Sequence, residues 1–476
     1  MAAGAKARPA RALEPSRHTG VATGPTSARR RSGGVADPPN ESRNRVGSRM
    51  AETFTRRAGE LYCEEVPVAE LAARWGTPLY VYSRTSIRRR FEELNQALAS
   101  HPHLIAYSVK ANGNLAILRT LAELGAGADI VSAGELYRAR LAGIPADRIV
   151  FSGVGKTVTE LAAGLQEGIY AFNVESEGEL RSLSELAAAT GREASIALRV
   201  NPNIETPTPH AYTRTGHAAT KFGIPIHDAP RLYRLAAELP GIRIRGVDMH
   251  LGSQILAVEP YHLALRQALE LVDQLQREGI ELEYLDLGGG LGISYSGGEG
   301  IPADLLAESI LPALRDSGLR LILEPGRYIV GPAGILVTRV LYLKEGGGKS
   351  FVITDAGMND LLRPSHYAGY HAVEPIASSG REHVRVDVVG PICETGDFLA
   401  LDREIERVEP GELLALRTTG AYGFSMSSTY NQRPRPAEVL VEGSEAALVR
   451  RRETIEDLVA AELEVSAEKQ MGDGEV

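Results

Sequence analysis

Four short segments of the sequence contain residue types that could act on a small molecule. Lys110 in AYSVKAN ends an apolar run, where a desolvated amine has a lowered pKa and can condense with an aldehyde. In DLGGGLG, the consecutive glycines 288–290 let the backbone approach a ligand and direct N–H groups at a phosphate. EPGR offers the Glu324 carboxylate and the Arg327 guanidinium, and His250 in MHLGSQ could stack on a flat ring. Taken singly, each segment also fits a surface charge, a turn or an interior histidine.

The elements that must position these segments follow a regular order. Short apolar, β-branched runs alternate with longer Ala- and Leu-rich segments of helical period. We count eight such runs, the number that closes a (β/α)8 barrel, and barrel chemistry lies at the carboxyl ends of the strands. The runs end at Lys110, Ser132, Gly153, Ser176, Asn201, Gly252, Gly290 and Arg327. The four chemical segments are therefore expected to meet at one rim.

Beyond the barrel, the pattern changes to short strand-like segments broken by Gly and Pro turns, which predicts an all-β domain. We expect an α/β fold: a TIM-type barrel over 85–328, and a C-terminal β-domain made of 53–84 and 329–460 with loops at a substrate pocket. Residues 443–464 have the pattern of an amphipathic helix, and 461–476 form a polar tail.

The first 49 residues differ in composition from the rest. They carry ten Lys or Arg against three acids, a net charge of +7, and contain no Phe, Tyr or Trp, so they cannot build a core. Because the whole chain carries −9, the remainder carries −16. We interpret residues 1–52 as a disordered basic leader, with Met50 as the natural start of the folded protein. An organelle-targeting peptide and a nucleic-acid-binding tail are the alternatives.

The overall composition narrows the function classes. With 43% hydrophobic residues, 24% charged residues and a negative net charge, nothing calls for a nucleic-acid or anionic-membrane partner. Two cysteines, Cys63 and Cys393, are too few for a disulfide framework and fit a reducing cytoplasm. The histidines lack metal-ligand spacing, so we expect no metal, and no apolar run approaches the roughly 20 residues that span a bilayer.

In combination and in this order, the four segments resemble the fold-type III pyridoxal-phosphate-dependent decarboxylases. The resemblance implies an alanine-racemase-like barrel, a β-domain and pyridoxal 5′-phosphate as the cofactor. It also implies that Lys110 holds the cofactor, that His250 stacks on its ring, and that Glu324 keeps the ring nitrogen protonated, which strengthens the electron sink. The other residues that the resemblance places at the cofactor are Asp129, Ser253, Gly288, Gly289, Gly290, Pro325, Gly326, Arg327 and Tyr422.

The segments LLRPSHY, GPICETGDFLA and GAYGFSMSSTYNQRPRPAEVLV resemble the diaminopimelate decarboxylases in particular. That family converts meso-2,6-diaminopimelate to L-lysine and carbon dioxide, the last step of lysine biosynthesis. The resemblance implies that Arg327 and Arg363 bind the distal carboxylate of the substrate and that Tyr367 adds a hydrogen bond. It further implies that Glu394 accepts the distal ammonium and that Tyr422 contacts substrate or cofactor.

Cys393 lies beside Glu394, and by resemblance it returns a proton to the substrate carbon after carbon dioxide departs. A thiol suits this task because it can give up a proton near neutral pH. In the family this loop reaches the active site of a neighbouring subunit, so the resemblance implies a homodimer with shared sites. Residues 203–224 resemble a lid, and we interpret Cys63 as structural.

Other functions stay open at this point. An ornithine or arginine decarboxylase of the same fold has no distal carboxylate to bind, so Arg363 would be an unpaired cation that is costly to desolvate. An amino-acid racemase would need a base on each face of the substrate carbon. A non-catalytic, decarboxylase-like regulator would have no use for Lys110, His250 and Cys393.

Overall fold

The computed structural model describes residues 53–204, 220–296 and 300–472, with side chains up to residue 465. The predicted leader, the middle of the lid-like segment and the last four residues lie outside these ranges. The described chain begins with a small antiparallel sheet, followed by two helices and a strand. These elements are β1 (Phe54–Arg57), β2 (Glu60–Cys63), β3 (Val66–Pro67), α1 (Val68–Trp75), β4 (Leu79–Ser83) and α2 (Arg84–Ala97).

The predicted parallel barrel is confirmed. Its strands are β5 (His103–Ser108), β6 (Gly127–Ile130), β7 (Ile149–Phe151), β8 (Ala171–Val174), β9 (Ala194–Asn201), and then, after the short β10 (Ile224–Pro225), β11 (Ile242–Asp248), β12 (Tyr284–Asp286) and β13 (Arg320–Leu323). The eight strands apart from β10 pair in chain order, and β13 pairs back with β5 to close the barrel. Most of their residues are buried, as expected of a sheet covered on both faces.

Helices on the outside connect the barrel strands. They are α3 (Leu115–Glu123), α4 (Ala133–Leu141), α5 (Val158–Glu167), α6 (Glu177–Thr190), α7 (Ala229–Glu238), α8 (Glu259–Arg277) and α9 (Ala303–Leu314). Four of them begin at a polar residue whose side chain accepts a backbone hydrogen bond: Asn114, Ser132, Thr157 and Ser176. These caps start each helix within a few residues of a strand end and keep the rim loops short.

A second large sheet lies after the barrel in the chain. Its elements are α10 (Arg327–Val330), β14 (Gly334–Gly346), β15 (Lys349–Thr354), α11 (Arg363–Tyr367), β16 (Val373–Pro375), β17 (His383–Val389), β18 (Phe398–Glu406), β19 (Leu413–Leu416), β20 (Ala437–Glu442), β21 (Glu445–Arg450) and α12 (Ile455–Gly472). The strand order is β18-β17-β15-β14-β4-β20-β21, and β19 joins β14 to β16. The early strand β4 thus belongs to this sheet.

The expected helix over 443–464 is wrong in its first half. Residues Glu445–Arg450 form β21, an antiparallel partner of β20, and the helix starts only at Ile455. It then continues to Gly472, so residues 461–472 of the predicted polar tail are helical. The reason is local, since a turn with Gly443 at φ 58° reverses the chain and hydrogen bonding to a neighbouring strand outweighs helix propensity. No helix in the described residues is long and apolar enough to cross a membrane.

Candidate active site

Lys110 lies on a short 3-10 turn, Val109–Ala111, directly after β5 at the barrel rim. Its ammonium Nζ donates to Asp129 Oδ2 at 2.6 Å, and Asp129 is a fully buried residue of β6. The Ser108 hydroxyl lies 2.7 Å from the same carboxylate oxygen and 2.9 Å from the backbone oxygen of Glu324. Three neighbouring strand ends thus hold the amine in one place.

The expectation that Lys110 has a lowered pKa is wrong for this structure. Burial by itself lowers the pKa of Lys110, but the nearby carboxylates of Asp129 and then Glu324 raise it, and the net shift of the pKa is upward. Burial, followed by Glu324, raises the pKa of Asp129. The Lys110 ammonium therefore keeps its proton in this structure, and the amine must lose that proton before it can act as a nucleophile.

The glycine run after β12 forms a backbone cradle. A Cβ on Gly289 would lie 2.2 Å from the Glu324 backbone oxygen, and one on Gly290, where φ is 91°, would lie 2.5 Å from the Gly252 oxygen. The Gly288 N–H donates to Asp286 Oδ1 at 2.8 Å, which fixes the start of the run. No side chain fits here, so the rim keeps an open backbone surface. The expectation that the run directs its N–H groups at a phosphate is wrong for Gly288 and Gly289, whose N–H groups donate to Asp286 and His250.

The EPGR turn follows β13 and closes the cradle from the other side. The Pro325 backbone oxygen accepts a hydrogen bond from Ser108 N–H at 3.2 Å, and Gly326 packs so closely on this strand end that a Cβ would lie 3.0 Å from Ser108 Cβ. Arg327 is buried and donates from Nη2 to Ser253 Oγ at 3.0 Å. The turn thereby brings a guanidinium and a hydroxyl beside the glycine run.

Glu324 belongs to a buried group of acids inside the barrel. One carboxylate oxygen each from Asp248, Asp286 and Glu324 lie within 4.8 Å of one another. Burial, followed by Glu324, raises the pKa of both aspartates well above the ordinary value, because neighbouring negative charges in a low dielectric repel. Arg199 approaches Asp248 at 4.0 Å. The surroundings of Glu324 therefore favour the protonated form of both aspartates.

His250 lies above this cluster, after β11. Its Nδ1 accepts a hydrogen bond from Gly289 N–H at 3.2 Å, so the neutral ring carries its proton on Nε2. Burial, followed by Arg199 and Lys110, lowers the pKa of His250 to about 3. The imidazole is consequently a neutral, flat surface that suits stacking on a ring.

Two arginines and a tyrosine form a second part of the site, which we call the arginine wall: Arg327, Arg363 and Tyr295. Arg327 Nη1 donates to Tyr295 Oη at 2.5 Å, and the Arg363 guanidinium carbon lies 4.6 Å from the centre of the same ring. Both arginines are buried, and within the described ranges neither has a carboxylate partner. Two desolvated cations without an acid define a site for an anion.

Two further predicted residues lie beside the arginine wall. Tyr422 donates its N–H to the Ala111 oxygen at 2.8 Å, and its ring centre is 4.8 Å from the Arg327 guanidinium carbon. Tyr367, at the end of α11, is close enough to Arg327 and Arg363 to act on the pKa of each. The structure thus gathers both predicted tyrosines with the arginines.

Cys393 and Glu394 are not gathered with the others. Both are exposed, and in the part of the chain that the structure describes neither is hydrogen-bonded or ion-paired to a residue around Lys110. The backbone N–H of Cys393 donates to Asn431 Oδ1 at 2.7 Å. In the single chain, the loop that contains Cys393 and Glu394 is therefore exposed to solvent.

Sequence reasoning missed several residues of this site. Asp286 ends β12 two residues before the glycine run, and Arg199 interrupts an otherwise apolar strand, so both carried a usable signal. No sequence signal marked Tyr295 and His371 as part of the site, because they lie in loops whose spatial neighbours are remote in sequence.

The site fits pyridoxal phosphate on its own geometry. It offers an amine for the aldehyde, a buried carboxylate for a ring nitrogen, a neutral imidazole for the ring face, and a glycine cradle beside Ser253 and Arg327 for a phosphate. Arg327 Nε is buried and has no hydrogen-bond partner in the described structure, which also indicates an anion. A parallel barrel with such a rim and an attached β-domain defines the class of pyridoxal-phosphate-dependent decarboxylases with an alanine-racemase-like barrel.

Comparisons with known proteins agree with this class. The pyridoxal-binding domain of the pyridoxal-dependent decarboxylase family matches residues 84–331. Diaminopimelate decarboxylase of Aquifex aeolicus is 50% identical over 410 residues, which are 86% of this chain and 97% of that one. The enzyme of Pseudomonas aeruginosa is 48% identical over 411 residues, 86% and 99% of the two chains.

A solved structure gives the same result. Diaminopimelate decarboxylase of Helicobacter pylori, complexed with L-lysine, superimposes with a TM-score of 0.81 at 42% identity and covers 83% of this chain and 99% of its own. The chain belongs to the diaminopimelate decarboxylase family.

Proposed function

We propose that this enzyme removes carbon dioxide from the D-configured centre of meso-2,6-diaminopimelate and produces L-lysine, the last step of lysine biosynthesis. The observation that carries the proposal is the arginine wall, since two buried guanidiniums without an acid require an anion near Lys110. The distal carboxylate of diaminopimelate supplies that charge. The relatives named above support the assignment, and one of them was crystallised with L-lysine.

The residues around Lys110 divide the chemistry among them. Pyridoxal phosphate, when bound, supplies the electron sink that accepts the electron pair left by departing carbon dioxide. Lys110 is the residue we expect to bind the cofactor aldehyde, and its ammonium donates a hydrogen bond to Asp129 Oδ2 at 2.6 Å. Glu324 would hold the ring nitrogen in its protonated form, and the neutral His250 ring would stack on the cofactor ring.

The substrate is selected at its far end. Arg363 and Arg327 bind the distal carboxylate in a charge-assisted pair, with Tyr367 beside them, and the cost of burying the two cations is then offset. Ornithine and arginine lack that carboxylate and leave the Arg363 guanidinium unpaired, so we expect them to be poor substrates.

We further propose a homodimer in which each subunit completes the site of the other. Cys393 would donate the proton that replaces carbon dioxide, and Glu394 would accept the distal ammonium. The exposure of both residues and the absence of a bond from either to the residues described around Lys110 support this arrangement. Because Cys393 must remain a thiol, we expect the enzyme to work in the reducing cytoplasm.

The test is carbon dioxide release by purified holoenzyme from meso-diaminopimelate, ornithine and arginine, with Lys110→Ala alongside. We expect release from diaminopimelate alone, and no release together with loss of the cofactor absorbance band in Lys110→Ala. Release from ornithine or arginine at a comparable rate would contradict the substrate assignment. Cofactor binding without release from any of the three would favour a regulator.

A further inference from the structure

His371 is a fully buried histidine between α11 and β16 that contacts the arginine wall. Its Nε2 lies 2.8 Å from Arg363 Nη1, and its Nδ1 lies 2.8 Å from the backbone oxygen of Arg417. The ring also meets Tyr295 edge to face, with the ring centres 5.3 Å apart. His371 therefore touches two members of the wall at once.

The two hydrogen bonds fix the protonation state of the ring. A carbonyl oxygen can only accept, so His371 Nδ1 carries the proton and donates to Arg417. A guanidinium can only donate, so Nε2 is the unprotonated acceptor of the Arg363 N–H. A second proton on the ring would place two donors against each other.

The surroundings keep the ring neutral. Burial, followed by the positive charge of Arg363, lowers the pKa of His371 to about 3, and Arg327 and Arg403 act in the same direction. In the described structure no carboxylate bonds to the ring. His371 thus remains a hydrogen-bond acceptor throughout the pH range in which such an enzyme works.

This acceptor sets the direction of the Arg363 guanidinium. One N–H group is held by His371 and one face lies on Tyr295, while the remaining N–H groups make no hydrogen bond within the described part of the chain. An arginine has many rotamers, and fixing one edge and one face leaves the other edge to bind a planar anion.

We propose that His371 is a positioning residue for distal-carboxylate recognition: its unprotonated Nε2 holds Arg363 in the orientation that pairs with the carboxylate. The inference rests on the proposed function, because it assigns to His371 a part of the selectivity for substrates and products that carry this carboxylate.

Two substitutions separate this role from a structural one. In His371→Gln the side-chain oxygen can reach the place of Nε2, so the acceptor for Arg363 is kept and the bond to the Arg417 oxygen is lost. In His371→Asn the amide nitrogen takes the place of Nδ1, so the bond to Arg417 is kept and the acceptor is lost. A positioning role requires the acceptor, whereas a purely structural role of the ring requires the bond to the backbone.

The measurement is calorimetric titration of holoenzyme with L-lysine, which retains the distal carboxylate, and with cadaverine, which lacks it. We expect His371→Asn to bind L-lysine about 10- to 100-fold more weakly than the wild type, the value of one hydrogen bond to a charged group. His371→Gln should stay within about threefold. Cadaverine affinity should change in neither variant, and the KM for diaminopimelate should rise in His371→Asn with kcat nearly constant.

Each outcome has a separate meaning. If the wild type neither decarboxylates diaminopimelate nor prefers L-lysine to cadaverine, the proposed function fails. If the wild type does both but His371→Asn binds L-lysine normally, or His371→Gln loses as much affinity as His371→Asn, the role of His371 is refuted. Nitrogen-15 NMR of the wild type tests the inference even if His371→Asn does not fold, and His371→Gln serves to assign the signal. A His371 ring that is protonated on Nε2 instead of Nδ1 would overturn the inference.

Discussion

Replacing Arg363 with methionine tests how strongly the arginine wall selects the substrate. Methionine fills much of the same volume but has no charge, so the pocket keeps its shape and loses one of its two cations. Arg363 is 8% exposed, so a carboxylate bound to it is largely removed from water. Breaking a buried ion pair costs about 3–5 kcal/mol. This predicts a fall in kcat/KM for diaminopimelate of roughly two to three and a half orders of magnitude.

The assay is carbon dioxide release over a range of diaminopimelate concentrations, with ornithine as a second compound and Arg385→Met as the matched control. Arg385 is an exposed arginine of β17, paired with Asp402 on the surface, and its loss should leave kcat/KM unchanged. The weak rate with ornithine should not fall in Arg363→Met, because ornithine never used the guanidinium. An equal fall for both compounds, or loss of the cofactor absorbance band, would refute the assignment of Arg363 to the substrate.

Three further predictions concern the Cys393 loop and a buried acid. Lys110→Ala and Cys393→Ser should each be nearly inactive alone. After subunit exchange, half of the dimers contain one copy of each variant, and one of the two sites in such a dimer is intact, so the mixture should regain up to about a quarter of wild-type kcat. No recovery despite proven subunit exchange would contradict shared sites. Asn431 has φ 54°, and its side-chain oxygen accepts a hydrogen bond from the Cys393 N–H. Asn431→Gly tolerates this φ but removes the acceptor and should lower kcat about tenfold, whereas Asn431→Asp keeps the acceptor and should not. Equal losses of kcat in the two variants would refute this role. Burial raises the pKa of Asp360 to about 7, so the stability linked to its protonated form is lost as pH rises. In urea unfolding, the free energy of unfolding of Asp360→Asn should therefore rise relative to that of the wild type from about pH 5 to about pH 8. A difference between the two proteins that stays constant with pH would contradict the shift.

The barrel was predictable because its signals are local. Each strand is a short apolar run bounded by a capping residue such as Asn114 or Thr157, and the closing geometry of parallel strands brings their carboxyl ends to one rim. Lys110 and Glu324 could therefore be placed together from the sequence. β21 was mistaken for a helix because its pairing with β20 is a tertiary fact that no local pattern contains.

The charges of the site were less predictable than its positions. The pKa of Lys110 depends on the distances to Asp129 and Glu324, and these carboxylates reverse the direction that burial alone would give. The contact between Arg363 and His371 joins a helix to the loop before β16, and a histidine in that loop has no distinguishing spacing. The chemistry could be inferred from residue types, whereas protonation states required the fold.

The site separates its charges into two regions, and this separation accounts for the substrate better than any single residue does. Acids surround the amine and the floor of the barrel, with Asp129 and Glu324 nearest Lys110, while the arginine wall is free of acids in the described structure. The carboxylate that leaves as carbon dioxide reacts more readily in a region that does not stabilise its negative charge. The carboxylate that is retained binds more tightly beside two guanidiniums. Diaminopimelate carries one carboxylate of each kind. A decarboxylase for ornithine has no need of the second region, so the cost of burying Arg363 without an acid is itself evidence for the distal group.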